Sequence, residues 1–311
     1  MIIDQPSQAV VGRSAPASSG RGRRRLILAL PLLWGIVVCV VPLAIIIRLS
    51  LSRAAQAQPP YRPLFEGIAR WPEFLSALTL DNYRLLASDD LYLSVVISSL
   101  RIAAIATLLT LLVAYPLSYA IARAGRRTQG LLLLLVMVPF WTSFLIRVYA
   151  WLVILKPEGL LNTALLALGL ATEPLDLINR EEAVILGIVY SYLPFMVLPI
   201  YTALERIDPR LLEAAGDLGA PPWRAFLAVT LPLSLPGIFA GMLLVFIPAT
   251  GEFVIPDLLG GPDTLMIGHV LWVEFFANRD WPLAAALALV LLALACLPVV
   301  AAAVLRRHKT P

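Results

Sequence analysis

The sequence predicts an all-α integral membrane fold with six transmembrane helices, and three observations carry that prediction. Of 311 residues, 60 % are hydrophobic and only 14 % charged, with a mean hydropathy of +0.86. Soluble domains carry about 25 % charged residues, so a chain of this size cannot hide its apolar surface from water, and its solvent is lipid. Six stretches are apolar over about the 20 residues needed to cross roughly 30 Å of hydrocarbon. Finally, basic residues gather at alternate ends of those stretches, on one side of the membrane.

In chain order, residues 1–25 read as a disordered basic tail, and residues 26–47 as the first span, 22 residues without a charge. Basic residues precede this span and Ala55-Gln56-Ala57 resembles a cleavage site, but its length exceeds the core of about 7–15 residues found in secretory signals. Residues 48–90 form an external loop, and residues 91–305 a core domain with five further spans. These are 102–122, with an apolar lead-in from Leu91 interrupted by Arg101; 131–155, with Arg147 near its far end; 183–204; 235–255; and 281–305. Residues 159–170 are apolar but too short to cross, which predicts an interfacial or re-entrant helix. Residues 306–311 form a second tail. Prolines inside the spans, Pro116, Pro139, Pro194 and Pro248 among them, predict kinks or breaks whose freed carbonyls neighbouring helices must satisfy.

Charge sets the orientation. The segments 1–25, 123–130, 205–232 and 306–311 hold 14 Lys and Arg against 5 acids, while the rest of the chain holds 10 bases and 15 acids. The positive side faces the cytosol, so both termini are expected there. Arg48 and Arg53 are discordant, because they flank the outer end of the first span.

The long polar segment 205–232 carries the most specific signal. Asp208 and Pro209 are a helix-starting pair, Leu211, Leu212, Ala215 and Leu218 recur at helical spacing, and Gly219 supplies a left-handed stop. Pro221-Pro222 then restarts a second short helix bearing Trp223 and Phe226. Ala214 and Ala215 keep the turn slim, and Glu213 and Asp217 offer carboxylates to arginines opposite. The expected product is a knob suited to a groove on another protein. An amphipathic helix resting on the bilayer is the plainer alternative.

Glu213-Ala214-Ala215, three residues, Gly219, nine residues, then Val229-Thr230-Leu231-Pro232 resembles the EAA signature of bacterial ABC importer permeases. Pro139 to Arg147, Tyr190 to Pro199, Gly251 to Pro262 and Asn278-Arg279-Asp280-Trp281-Pro282 are similar to polyamine importer permeases, most of all their putrescine-specific branch. The resemblance covers about residues 75–300. It implies a type I ABC importer permease architecture in a bacterial inner membrane, carrying a putrescine-like diamine or, alternatively, another solute such as ferric iron, an oxyanion or an opine-like compound. Glu213, Ala214, Ala215, Gly219, Leu231 and Pro232 would then belong to a coupling helix that seats in a cleft of an ATPase subunit. It also implies a second homologous permease chain, two ATPase subunits that bind ATP–Mg, and a periplasmic substrate-binding protein.

No Gly-x-x-x-x-Gly-Lys-Ser/Thr phosphate loop occurs, so ATP hydrolysis is expected in a partner and no cofactor in this chain. Cys39 and Cys296 lie in apolar runs and His269 and His308 lie far apart, which predicts neither a catalytic nor a metal site. The basic tail abuts a span and reads as a topology determinant, not a nucleic-acid arm. An intramembrane enzyme lacks its nucleophile–base pair, and a channel would not need the coupling helix. For a cationic substrate, the candidate path residues are Glu252, Asp257, Trp141, Tyr190 and Tyr192. Carboxylates near the membrane are costly and usually face a cavity or a partner. Here they line the path or, alternatively, pair with Arg101, Arg147 or Arg279. The aromatics serve cation–π contact or an interfacial belt. Arg147 is expected to snorkel outward.

Overall fold

The computed structural model describes residues 20–65, 67, 70–262 and 264–307, with only the backbone of 20–28, 30 and 301–307. Two compact units result, Met1–Ile46 and Ile47–Pro311. The first is described through helix α1, Gly20–Ser50. Residues 20–25, expected in the disordered tail, are therefore helical, and arginine is a good helix former. The expectation for residues 1–19 lies outside the described residues. Leu32, Leu33 and Trp34 are all more than half exposed, as befits a helix apolar all round whose surroundings are lipid.

In the second unit, the two discordant arginines find local partners. The Arg48 guanidinium lies over Phe74 at 5.1 Å and Tyr61 at 5.9 Å. Arg53 pairs with Asp81 at 3.0 Å. The expected external loop holds a two-residue β pair, β1 (Arg53–Ala54) and β2 (Tyr61–Arg62), and helices α2 (Trp71–Ser76) and α3 (Asp81–Ser88). Asp89 then caps α4, Asp90–Arg123, by accepting from the Leu91 N–H at 2.9 Å. The apolar lead-in and Arg101 thus belong to one 34-residue helix.

The core is built by α4, α8 (Glu181–Glu205) and α11 (Leu231–Thr250), joined through Ala114, Ile121, Met196, Val197, Ile200, Ile238 and Val245. Ser118 Oγ crosses from α4 to donate to the Val197 carbonyl at 3.1 Å. α8 and α11 approach closely at two glycines. A Cβ on Gly237 would lie 2.6 Å from the Pro199 carbonyl oxygen and 2.6 Å from Ala203 Cβ, and one on Gly241 would lie 2.7 Å from Met196 Sδ. Helix α14, Trp281–Arg307, closes the bundle and absorbs two residues of the expected second tail; residues 308–311 lie outside the described residues.

The third span differs from the expectation of one crossing over 131–155. Helix α5, Arg126–Met137, passes into a 3₁₀ turn, Val138–Trp141, that holds Pro139. Thr142 and Ser143 are extended, and α6 (Phe144–Leu155) leaves at 90°, followed by α7 (Leu160–Ala167). Proline lacks the donor that would continue the helix. Five helices among the described residues are each long and apolar enough to cross a membrane, and the count reaches six if the bent pair is taken as one span.

Candidate functional site

Two regions carry the candidate residues. The first is the turn around α9, Arg210–Asp217. The Asp208 carboxylate accepts from the Arg210 N–H at 3.0 Å, and the Pro209 carbonyl accepts from Leu212 and Glu213. The helix ends where Gly219 takes φ +79°, a left-handed conformation open to glycine, while Ala220 N–H returns to the Ala215 carbonyl at 3.0 Å. No α9 side chain is buried. Glu213 and Ala214 are exposed, Ala215 is half-buried, and Leu218 at 89 % exposure is one of the barest large apolar side chains described.

The expected second helix starts at Pro222 but does not end as a short one. Instead α10, Pro222–Ala225, runs through a π-helical turn, Phe226–Thr230, directly into α11, giving one helical rod of 29 residues. Phe226 stands edge-on to Tyr115 at 5.8 Å and Tyr119 at 5.9 Å, which ties the root of the turn to α4. Leu231 packs into the core cluster, and Pro232 follows directly on the π-helical turn as the second residue of α11.

The second region lies just beyond α11. The rod stops at Thr250, so Glu252 sits in the break before α12 (Val254–Leu259), only 7 % exposed. One carboxylate oxygen accepts from the Phe253 and Val254 N–H groups at 3.2 and 3.1 Å, and the other from the Tyr192 hydroxyl. Asp257 is exposed and pairs with His269 of α13 (Ile267–Trp272) at 3.2 Å. Neither acid has the arginine partner that the alternative expectation named, and Arg101 pairs with Glu181 instead. Of the aromatics, only Tyr192 touches a candidate acid. Tyr190 lies edge-on to Trp151 at 5.5 Å, and Trp141 is 76 % exposed at the end of its 3₁₀ turn.

Arg147 does not snorkel. It is 8 % exposed, with its guanidinium over Phe140 at 4.7 Å and Phe144 at 5.7 Å, and its Nε and Nη1 are buried without a hydrogen-bond acceptor. Beyond the 90° break, Arg147 lies on the face of α6 whose Val148 and Leu155 enter a core cluster.

Sequence reasoning missed Glu274, a 9 %-exposed acid on a second π-helical turn, Val273–Ala277. Tyr92 OH and Asn278 Nδ2 donate to it at 3.1 and 2.9 Å. An acid inside the apolar run 264–277 was the available signal. Nearby Asp280 caps α14, accepting from the Leu283 N–H at 3.0 Å. It lines a cavity of about 620 Å³ with Asn278, Arg279 and loop residues that include Gln56 and Gln58.

Burial pushes the Asp280 carboxyl above its ordinary range, the Leu283 N–H pulls it back, and the charge of Glu274 raises it further. A raised folded pKa means its contribution to stability is full below the unfolded value and is lost as pH rises through the folded one. Asparagine keeps the cap acceptor without the charge. Asp280→Asn is therefore expected to raise Tm relative to the parent near neutral pH and to lose that advantage near pH 4, read by melting in detergent. An equal offset at both pH values would contradict this.

The comparisons with known proteins agree on one family. Residues 114–310 match the family described as binding-protein-dependent transport system inner membrane component. The chain is 46 % identical over 212 residues to the spermidine/putrescine transport system permease protein PotB of Haemophilus influenzae, covering 68 % of this chain and 74 % of that one. It is also 46 % identical over 213 residues to the PotB of Escherichia coli, covering 68 % and 77 %. In fold it is similar to a chain of a bacterial alginate ABC transporter crystallised with an alginate pentasaccharide-bound periplasmic protein, at a TM-score of 0.69 and 16 % identity over 94 % of this chain and 98 % of that one. The relatives are transport permeases rather than enzymes, and with nearly two thirds of its length inside the family match, this chain belongs to the inner-membrane permeases of binding-protein-dependent ABC transport systems.

Proposed function

We propose that this chain is the permease subunit of an ATP-driven importer whose cargo is a polyamine, a putrescine-like diamine. The observation that carries the cargo is the 46 % identity to relatives named as spermidine/putrescine permeases. The importer architecture rests on the family match together with the exposed, glycine-stopped α9 turn.

In this reading α9 seats Glu213, Ala214, Ala215 and Leu218 in a cleft of a partner ATPase, and Gly219, Leu231 and Pro232 connect that knob to the rod. Two ATPase subunits bind ATP–Mg, and this chain holds no cofactor. A second homologous permease completes the pathway, and a periplasmic binding protein delivers the cargo. Both termini face the cytosol. Closure of the ATPases pushes the coupling helices of both permeases and opens the cavity alternately outward and inward. Glu252, oriented by Tyr192, offers the cation a buried carboxylate, and Asp257 an exposed one. Tyr190 and Trp141 stand farther along the path or at its lipid edge.

The test is uptake of radiolabelled putrescine by cells lacking their own polyamine importers and expressing this chain with its genomic neighbours. Saturable, ATP-dependent uptake blocked by spermidine but not by iron or sulfate is the expected result. ATP-dependent uptake of a different solute would keep the importer and discard the polyamine. In the same assay Glu252→Gln and Asp257→Asn are each expected to raise the apparent KM at least about tenfold, a loss of about 1.4 kcal/mol, or to end transport. Unchanged kinetics would make those acids structural.

A further inference from the structure

Two buried charges of opposite sign, Arg147 and Glu252, flank one core cluster, and neither has an ionic partner among the described residues. Arg147 is the fourth residue of α6, within the first turn, where the positive end of a helix disfavours a cation. Its guanidinium touches two phenyl faces and leaves two nitrogens without acceptors. Cation–π contact is weak compensation for a charge taken out of water. Glu252 receives three hydrogen bonds, all from neutral donors.

An unbroken series of rings joins them. Phe140, beneath the guanidinium, lies edge-on to Phe195 at 5.1 Å, and Phe195 lies against Tyr192 at 6.1 Å, whose hydroxyl holds Glu252. Each charge also sits at an interruption in a span. Arg147 follows the extended Thr142–Ser143 break, and Glu252 lies between α11 and α12, one residue past Gly251. The two interrupted elements share one core cluster through Val148, Ile255 and Leu259. Breaks at membrane depth are tolerated where they are buried in protein or line a cavity, and breaks are where a span changes shape.

We propose that Arg147 is the resident counter-charge of Glu252. In the arrangement described here the guanidinium rests on Phe140 and Phe144, and Glu252 Oε2, which accepts a single hydrogen bond, keeps a lone pair for an ammonium group. In the opposite arm of alternating access the guanidinium passes the Phe140–Phe195 pair, binds Glu252 and expels the cation. Arg147 is thus a positioning residue that sets release, a role resting on the cation-import reading above. Its presence on a cation path follows directly, since a fixed positive charge empties a site that a carboxylate fills.

Two measurements on the whole complex, permeases with ATPases in lipid vesicles, test the proposal. In a Cys39→Ser, Cys296→Ser background, Arg147→Cys with Glu252→Cys is treated with a short bis-maleimide in the nucleotide-free and vanadate-trapped states. Cross-linking at least about fivefold greater in one state is expected; equal yields in both, or none in either, overturn the counter-charge. Retention of labelled putrescine by the solubilised complex supplies the second readout. Arg147→Gln is expected to slow release about tenfold, Arg147→Lys to restore it and Glu252→Gln to hold no label. A merely structural role for Arg147 would shorten retention instead, and that result overturns the proposal. State-dependent cross-linking with no labelled putrescine held by any form supports the charge pair and removes the polyamine reading.

Discussion

Gly219→Pro abolishes ATP-driven uptake while leaving the protein inserted in the membrane: that is the expected result at the stop of α9. Gly219 takes φ +79°, whereas proline locks φ near −65°, so the chain cannot leave α9 in its present direction. A Cβ at this position would meet nothing within 4 Å. For an ordinary side chain torsion sets the cost, about 1–2 kcal/mol in the left-handed region, and proline in addition removes the Gly219 N–H that donates to the Gly216 carbonyl at 2.8 Å. Asparagine tolerates that region, so Gly219→Asn is expected to keep most of the uptake. Glu213→Lys belongs beside it, because Glu213 is exposed and its side chain pairs with none of the described residues. Loss of uptake with normal insertion would then report a lost partner contact. Normal uptake by both Gly219→Pro and Glu213→Lys would defeat the coupling role of the turn.

Gly237→Leu has the other large expected effect, the loss of the folded permease itself. Gly237 and Gly241 are four residues apart on one face of α11, the spacing that lets membrane helices approach closely. At Gly237 the added Cβ would meet a backbone carbonyl, which cannot swing aside, at 2.6 Å. At Gly241 the first obstacle is the flexible Met196 thioether, backed by the Met196 carbonyl oxygen at 3.1 Å. Overpacking of this kind costs about 1–3 kcal/mol for a few methylenes, and leucine adds more than the α8–α11 seam can hold. Even Gly237→Ala is expected to lower the detergent Tm by several degrees, and more than Gly241→Ala. Gly216→Ala, whose Cβ would meet open space, serves as the helix-propensity control and should hold or raise Tm. If Gly237→Leu purifies with the parental Tm, the seam is looser than drawn.

Most of the span architecture was legible because lipid asks for one simple property, a run of apolar residues about 20 long. Gly219 and Asp208 were legible for a similar reason, since a helix stop and a helix start each need a residue with particular backbone or side-chain chemistry. The break at Thr142 and Ser143 was harder to read. Pro139 announced a kink, but a 90° turn depends on what α6 packs against, and that is a tertiary fact. The fate of Arg147 followed from that turn, so an argument from the isolated helix sent it the wrong way. The glycine pair of α11 was visible as letters, yet its meaning depended on which helix lay opposite. The partners of Glu252, Asp257 and Glu274 are Tyr192, His269 and Tyr92, residues 12 to 182 positions away, and a single sequence carries no record of such contacts.

The continuity of residues 222–250 has a mechanical consequence. With 29 residues in one helical rod, the distance from Pro222 to Thr250 is about 40 Å at 1.5 Å per residue. The tight seam at Gly237 and Gly241 grips this lever between its ends, so it acts as a fulcrum. One arm is about 25 Å long and the other about 16 Å. A tilt of about 10° would shift the Pro222 end by about 4 Å and swing the Thr250 end about 3 Å the opposite way, on the same rise per residue. Glu252 hangs two residues beyond that second end. A stroke delivered beside α9 would thus arrive at the buried carboxylate reversed in direction and reduced by about a third, still enough to make or break a hydrogen bond there.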